Sequence, residues 1–186
     1  MTQAKLYMLL LGCRPKGRNT EQHDIFFAIG NSLAELVPAI NSFWPEAKGN
    51  IHLDAWREVT HVDGYEISVL PRQEKGAQEM SLFFINLGGY KEQEFEEYHY
   101  KVLAVAKNLD EAKVSAKQTA FYKHTGFKGA VSHIDDRFGV DADDIHEVKD
   151  ILSADVKEKY SIKITPTTSA HRDEMHLGYL PVYKIV

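Results

Sequence analysis

The sequence predicts an α+β fold of tandem duplicated ββαββ units, two-layered and related by a pseudo-twofold axis. Three observations carry that expectation. The first half of the chain falls on the second at an offset of 76 residues, Leu6 on Leu82, without a gap for about thirty positions. Each half contains short apolar runs with the period of strands. Each half also holds one capped segment with the period of a helix.

The offset aligns specific residues as well as residue types. Leu11-Gly12 meets Leu87-Gly88, Glu21 and His23 meet Glu97 and His99, and Leu33 and Glu35 meet Leu109 and Glu111. Tyr7 with Phe83 and Ile29 with Val105 are like-for-like apolar pairs. Further along, two registers compete for Asp54. His52-Leu53-Asp54 resembles His133-Ile134-Asp135, whereas Asp54-x-Trp56-x-Glu58-Val59 resembles Asp143-x-Ile145-x-Glu147-Val148. The match is clear again where Tyr65-x-Ile67-x-Val69-x-Pro71 meets Tyr160-x-Ile162-x-Ile164-x-Pro166. The expected organisation is a first repeat over 5–72, a second over 80–166, and a C-terminal tail over 167–186.

Taken in order, Leu6 to Leu11 is a continuous apolar run, as in a strand covered on both faces. Asp24 to Gly30 places Ile25, Phe27 and Ile29 on one face and Phe26 and Ala28 on the other, which predicts a second central strand. Ser32-Leu33-Ala34-Glu35 has the spacing of a capping box, and Asn108 with Glu111 repeats it. Leu33, Leu36, Val37, Ile40, Phe43 and Trp44 then form one helical stripe, bent locally by Pro38. The second copy carries Ala112, Ala116 and Ala120, which predicts closer helix packing. Alternation in Tyr65–Val69 and Tyr160–Ile164 marks half-buried strands. Arg72 to Glu79 reads as a charged linker, Thr167 to Met175 as a polar loop, and Tyr179 to Val186 as an edge strand containing Pro181.

Composition narrows the function classes. The chain has 186 residues, of which 44% are apolar, and a net charge of −5. That apolar fraction suffices for a core, and the acidic balance argues against nucleic acid as a partner. The single cysteine, Cys13, excludes an internal disulfide and cysteine-rich zinc sites, which fits a cytoplasmic protein. Lys5 followed by Leu6 to Cys13 superficially resembles a lipoprotein signal. Its apolar run falls short of the roughly seven to fifteen residues of a signal core, and Leu82 to Gly89 repeats the pattern internally. It is therefore read as a strand, with no membrane partner expected.

With these motifs assembled, the sequence resembles a bacterial family known only as domain of unknown function 1543, which occurs as one or two copies per chain. The resemblance spans nearly all of residues 5–166. It rests on the order of Leu11-Gly12, Glu21-x-His23, His52-x-Asp54-x-Trp56 and Val62-Asp63-Gly64-Tyr65. It implies no catalytic residues. The second copy lacks a tryptophan at the Trp56 position and an Asp-Gly-Tyr turn, so a site in this chain is expected to be asymmetric.

Several constellations are candidates for chemistry. His23 and His99 stand at equivalent strand starts, where a pseudo-twofold would bring them together as metal ligands or acid–base groups; capping of their loops is the structural alternative. His52 and Asp54 lie two apart on a strand and so share a face, as a metal pair, an oriented imidazole, or a merely exposed polar edge. The metal candidates are thus His23, His99, His52 and Asp54. Cys13 would be a nucleophile if His23, oriented by Glu21, activated it; otherwise it is a small residue at a strand end. Arg14, Lys16 and Arg18 form a basic turn suited to a phosphate or carboxylate, where the second copy has Glu92, Glu94, Glu96 and Glu97. Trp56 offers a stacking surface or a core anchor. The ligand-binding candidates are therefore His23, His99, Arg14, Lys16, Arg18 and Trp56.

No phosphate loop, serine elbow, HExxH helix or dinucleotide fingerprint is present, so no organic cofactor is expected. The leading expectation is a non-enzymatic cytoplasmic module that binds a protein partner or small ligand between its repeats. An enzyme or metal-binding protein using the repeated histidines and His-x-Asp pairs is the alternative. A structural homodimer is a third reading.

Overall fold

The computed structural model describes residues 3–72, 78–90, 93–117 and 141–185. Its strands are β1 (Lys5–Cys13), β2 (Gln22–Gly30), β3 (His52–Glu58), β4 (His61–Val62), β5 (Tyr65–Pro71), β6 (Ser81–Tyr90), β7 (Glu97–Ala106), β8 (Asp141–Glu147), β9 (Tyr160–Pro166) and β10 (His176–Pro181). Its helices are α1 (Val37–Phe43), α2 (Leu109–Lys117), α3 (Val148–Ile151) and α4 (Ala154–Lys159). This is an α+β protein. Among the described residues no helix is long and apolar enough to cross a membrane.

The chain divides into two compact units, Met1–Gly76 with Leu152–Val186, and Ala77–Ile151. This division differs from the repeat boundaries, for a reason visible in the pairing. Strand β9, in the stretch expected to be a second repeat, runs antiparallel to β5 in the stretch expected to be the first, with Ile67 facing Ile164 and Val69 facing Ile162. The C-terminal segment is thereby drawn into the first unit. The two strands are the matching Tyr-x-Ile motifs of the sequence, and they pair about Ser68 and Lys163, their own equivalents at an offset of 95 (163 minus 68).

In the first unit the main sheet has the order β10-β3-β1-β2, and β4-β5-β9 forms a second one. β1 is central, as its unbroken apolar run implied. Among the described residues β2 is an edge strand, which corrects the expectation of a second central one. Both of its faces are nevertheless buried, Phe27 and Ile29 on one side and Ala28 on the other. β10 is the opposite edge, as Pro181 predicted, although it spans His176–Pro181 and gives way to a 3-10 turn over Val182–Lys184.

One face of the main sheet carries the core. Tyr7, Leu9, Leu11 and Cys13 point from β1 towards Leu36 and Ile40 of the helical layer, joined by Ile51, Leu53 and Val182. Burial of a large aliphatic side chain contributes about 1.5–3 kcal/mol, so this face fixes the strand register firmly. The helical layer begins where the capping signals stand. Ser32 Oγ accepts the Glu35 N–H at 3.4 Å, while the Glu35 carboxylate accepts the Asn31 N–H at 2.8 Å. Asn108 and Glu111 repeat the device, with Glu111 N–H donating to Asn108 Oδ1 at 3.0 Å and Lys107 N–H to Glu111 at 3.1 Å. The first turn, Ala34–Leu36, winds as a 3-10 helix, which leaves Pro38 in the opening turn of α1, where it disrupts no hydrogen bond.

The second unit has the sheet order β7-β6-β8, with α2 packed through Ala112 and Ala116 onto Phe83, Ile85 and Leu87. Its registers reproduce those of the first sheet. Lys5 faces Gly30 as Ser81 faces Ala106, each shifted by 76. β3 slips by one residue against β1 between Leu10 and Leu11, and β8 slips against β6 between Asn86 and Leu87, again 76 apart. Leu9 faces Trp56 where Ile85 faces Ile145, so the register that equates Asp54 with Asp143 is the one the strands adopt. The competing segment His133-Ile134-Asp135, Ala120 and residues 73–77 of the linker lie outside the described residues.

Candidate metal centre

The face of β1 opposite the core holds the sheet's polar constellation. Gly12 sits between two histidines, facing His23 on β2 and His52 on β3. Glu21 ends the loop that leads into β2, two residues before His23. Asp54 shares the side of His52, and it owes its position to the slip between β1 and β3. Leu10 faces Ala55 and Leu11 faces Leu53, so Asp54 is the extra residue of a β-bulge. Such a bulge re-aims a side chain, here towards the surface above Gly12.

The four side chains converge. His23 Nε2 lies 3.1 Å from Asp54 Oδ2 and 3.7 Å from Glu21 Oε2. His52 Nε2 lies 3.1 Å from Glu21 Oε1 and 3.4 Å from Asp54 Oδ1. Each imidazole thus touches both carboxylates, and each carboxylate touches both imidazoles. His52 is sunk into the sheet with its side chain 6% exposed, whereas His23 and Glu21 are 42% and 44% exposed and leave one side open to solvent. The Tyr179 ring leans on the His52 ring with centroids 4.3 Å apart.

Distance alone would make these ion pairs, but the alignment is wrong for hydrogen bonds. His52 Nε2 and Asp54 Oδ2 are buried and neither has a hydrogen-bond partner in the protein. A buried polar atom left unpaired costs about 1–3 kcal/mol, so two of them side by side call for a satisfying group. Ligands held about 2.0–2.2 Å from a tetrahedral or octahedral metal stand about 3.0–3.5 Å from one another. Three of the four imidazole–carboxylate contacts, at 3.1, 3.1 and 3.4 Å, fall in that range, and the His23–Glu21 contact at 3.7 Å lies just above it. Two imidazole nitrogens and up to four carboxylate oxygens form a mixed donor set of the kind that suits zinc, iron or manganese.

Gly12 is the floor of this arrangement. A Cβ built on it would stand 2.4 Å from His52 Nε2 and 2.6 Å from Asp54 Oδ2. Only a residue without a side chain lets both atoms approach the backbone so closely.

The structure thus gathers three sequence candidates, His23, His52 and Asp54, and adds Glu21, which the sequence suggested only as an orienter of His23. His99 stands in the second unit at the matching position, facing Gly88, with Asp141 across the other side of Gly88 where the first unit has His52. Glu97 opens β7 two residues before it. Arg14, Lys16 and Arg18 are exposed on the β1–β2 loop that ends at Glu21. Trp56 packs against the core and stacks on His176, with ring centroids 3.8 Å apart and planes 11° from parallel. Cys13 is turned to the core face, 1% exposed, and burial pushes its thiol above the ordinary value, followed in effect by Glu21 and Glu46. A buried thiol held protonated is no nucleophile.

One cluster escaped the sequence reading. His61, His171 and Asp173 bring their ligand atoms within 4.8 Å of one another. The His-x-Asp spacing of His171 and Asp173 was available as a signal, but it falls in a loop, where strand period says nothing about a shared face.

Fold and site together define a two-unit α+β protein with a histidine–carboxylate cluster on the open face of its first sheet. The family model of Domain of Unknown Function DUF1543 matches residues 18–69, so the family resemblance read from the motifs holds over that stretch. Among solved structures, the chain is similar to the protein Il1583 from Idiomarina loihiensis, at 26% identity and a TM-score of 0.62, over 96% of this chain and 97% of that one. No curated protein matches the chain.

Proposed function

We propose that this protein binds a divalent transition-metal ion through Glu21, His23, His52 and Asp54. The observation that carries the proposal is the pair of buried atoms without a hydrogen bond, His52 Nε2 and Asp54 Oδ2, each 3.1 Å from a further ligand group above Gly12. Two carboxylates neutralise the ion's charge, and the imidazoles add the borderline-soft donors that favour zinc, iron or manganese over magnesium or calcium. The exposed side formed by His23 and Glu21 leaves coordination positions for water or a ligand. Arg14, Lys16 and Arg18, on the loop leading to Glu21, supply positive charge on that side, which favours a small anion as the ligand. This is the metal-binding alternative of the sequence reading narrowed to the first unit, with Glu21 in place of His99 and no ligand held between the repeats.

Metal analysis of protein purified without a histidine tag, followed by zinc titration into the metal-free chain, tests it. Tight binding that is lost in Asp54→Ala and His52→Ala supports the proposal. Binding unchanged by both substitutions refutes it.

A further inference from the structure

We infer that His61, His171 and Asp173 form a second, separate divalent-metal site that clasps the C-terminal loop to the β4–β5 hairpin. The hairpin is built rigidly. Val62 faces Tyr65 across a two-residue turn in which Asp63 and Gly64 both have positive φ, 51° and 80°, as a twisted two-residue hairpin requires. His61 stands at the foot of that turn, facing Glu66. Across from it, the segment joining β9 to β10 carries His171 and Asp173. Thr167 N–H anchors this loop by donating to the Gly64 carbonyl at 2.8 Å.

Thr60 organises the ligands. Its hydroxyl donates to Asp173 Oδ1 at 2.5 Å, and its backbone N–H lies 3.1 Å from both carboxylate oxygens. The same hydroxyl lies 2.9 Å from His61 Nδ1. A hydroxyl has one proton, and the carboxylate can only accept it. In the neutral imidazole, His61 Nδ1 then carries the hydrogen that it donates to Thr60, which leaves Nε2 with a free lone pair. That is the tautomer of a metal-bound histidine whose other nitrogen is held by an outer partner. The His171 ring is 4.8 Å from the His61 ring, inclined at 59° rather than stacked flat.

Neighbouring ligands around one ion stand about 3.0–3.5 Å apart. Ligand atoms that lie within 4.8 Å of one another therefore need a closure of at most about 1.3–1.8 Å (4.8 minus 3.5 and 4.8 minus 3.0), which exposed His171 can supply by a change of rotamer. Two imidazoles and one carboxylate suit zinc, cobalt or nickel, with the solvent side open for water. Arg57, within electrostatic reach of Asp173, opposes a cation there, so this site is the weaker of the two.

The experiment is a cobalt titration of the tag-free full chain carrying His52→Ala, so that only this cluster reports, read by visible absorption and calorimetry. One cobalt per chain is expected, with binding lost on adding His171→Ala or His61→Ala. Thr60→Val should weaken it about tenfold or more. Histidine side-chain nitrogen NMR of the metal-free protein should find His61 protonated at Nδ1. No cobalt bound by His52→Ala, or binding that survives both histidine substitutions, overturns the inference; so does an Nε2-protonated His61. Because the parent variant lacks the first centre, failure here leaves the first proposal standing, and the reverse also holds.

Discussion

Gly12→Ala is the sharpest perturbation of the first centre, because it adds a single methyl group and removes no ligand. The new Cβ would lie 2.4 Å from His52 Nε2 and 2.6 Å from Asp54 Oδ2. Real contacts of this kind start at 3.0 Å, so the imidazole must retreat by at least 0.6 Å (3.0 minus 2.4). Metal sites tolerate bond-length departures of about 0.2 Å, so the shift exceeds the tolerance roughly threefold. His52 is also buried, and the movement strains packing by about 1–3 kcal/mol. Glycine to alanine in a strand should otherwise be favourable by about 0.4–1 kcal/mol, so the sign of the stability change is itself diagnostic. Zinc calorimetry and urea unfolding of the metal-free chain provide the assay. Affinity should fall at least a hundredfold and metal-free stability should also fall. Wild-type affinity in a variant that has gained stability would refute the reasoning, since Gly12 would then not be the floor of a metal cage.

Three further outcomes follow from the same geometry. Cys13 should react with a thiol reagent only as fast as the chain unfolds, because burial holds it protonated in the core; rapid labelling under native conditions would contradict its placement. Burial, reinforced by Glu58, pushes the Tyr7 phenol up to about 12, so the folded chain keeps a proton that the unfolded chain loses near pH 10. Stability should therefore decline as pH rises from about 10 to 12, by about 1–2 kcal/mol after allowance for solvent near the hydroxyl, and Tyr7→Phe should flatten that decline in alkaline urea titrations. Glu35→Ala and Glu111→Ala should each cost about 0.5–2 kcal/mol in thermal unfolding, since both carboxylates satisfy a backbone amide at a helix start; no change in either would dismiss that role.

Much of the fold was legible because local patterns agreed with tertiary structure. The continuous run Leu6 to Leu11 is a central strand, the paired glutamates sit at helix starts, and the Asp63-Gly64 pair is a tight hairpin. Asymmetry of burial was harder to read. Strand β2 looks central because apolar residues occupy both of its faces, yet a strand can be covered by layers without having two strand neighbours. The return of β9 to pair with β5 is a non-local event with no trace in either segment's own composition.

The site shows the same division. Strand period placed His52 beside Asp54, and Glu21 was read only as an orienter of His23. What period could not show was that both pairs flank Gly12, because that depends on the register of three strands. The bulge that aims Asp54 over Gly12 is also invisible to a simple alternation count, since an extra residue looks like a break in pattern. His61 and His171, 110 residues apart in sequence (171 minus 61), meet only through the loop that Thr167 anchors.

The most direct test of the account is zinc titration into the tag-free chain carrying His171→Ala, which leaves only the centre above Gly12 intact. One zinc per chain is expected, with X-ray absorption showing mixed imidazole and carboxylate ligation, and complete loss of binding when Asp54→Ala is added. A His171→Ala chain that binds no zinc at micromolar concentrations, or one whose binding survives the loss of Asp54, would contradict it.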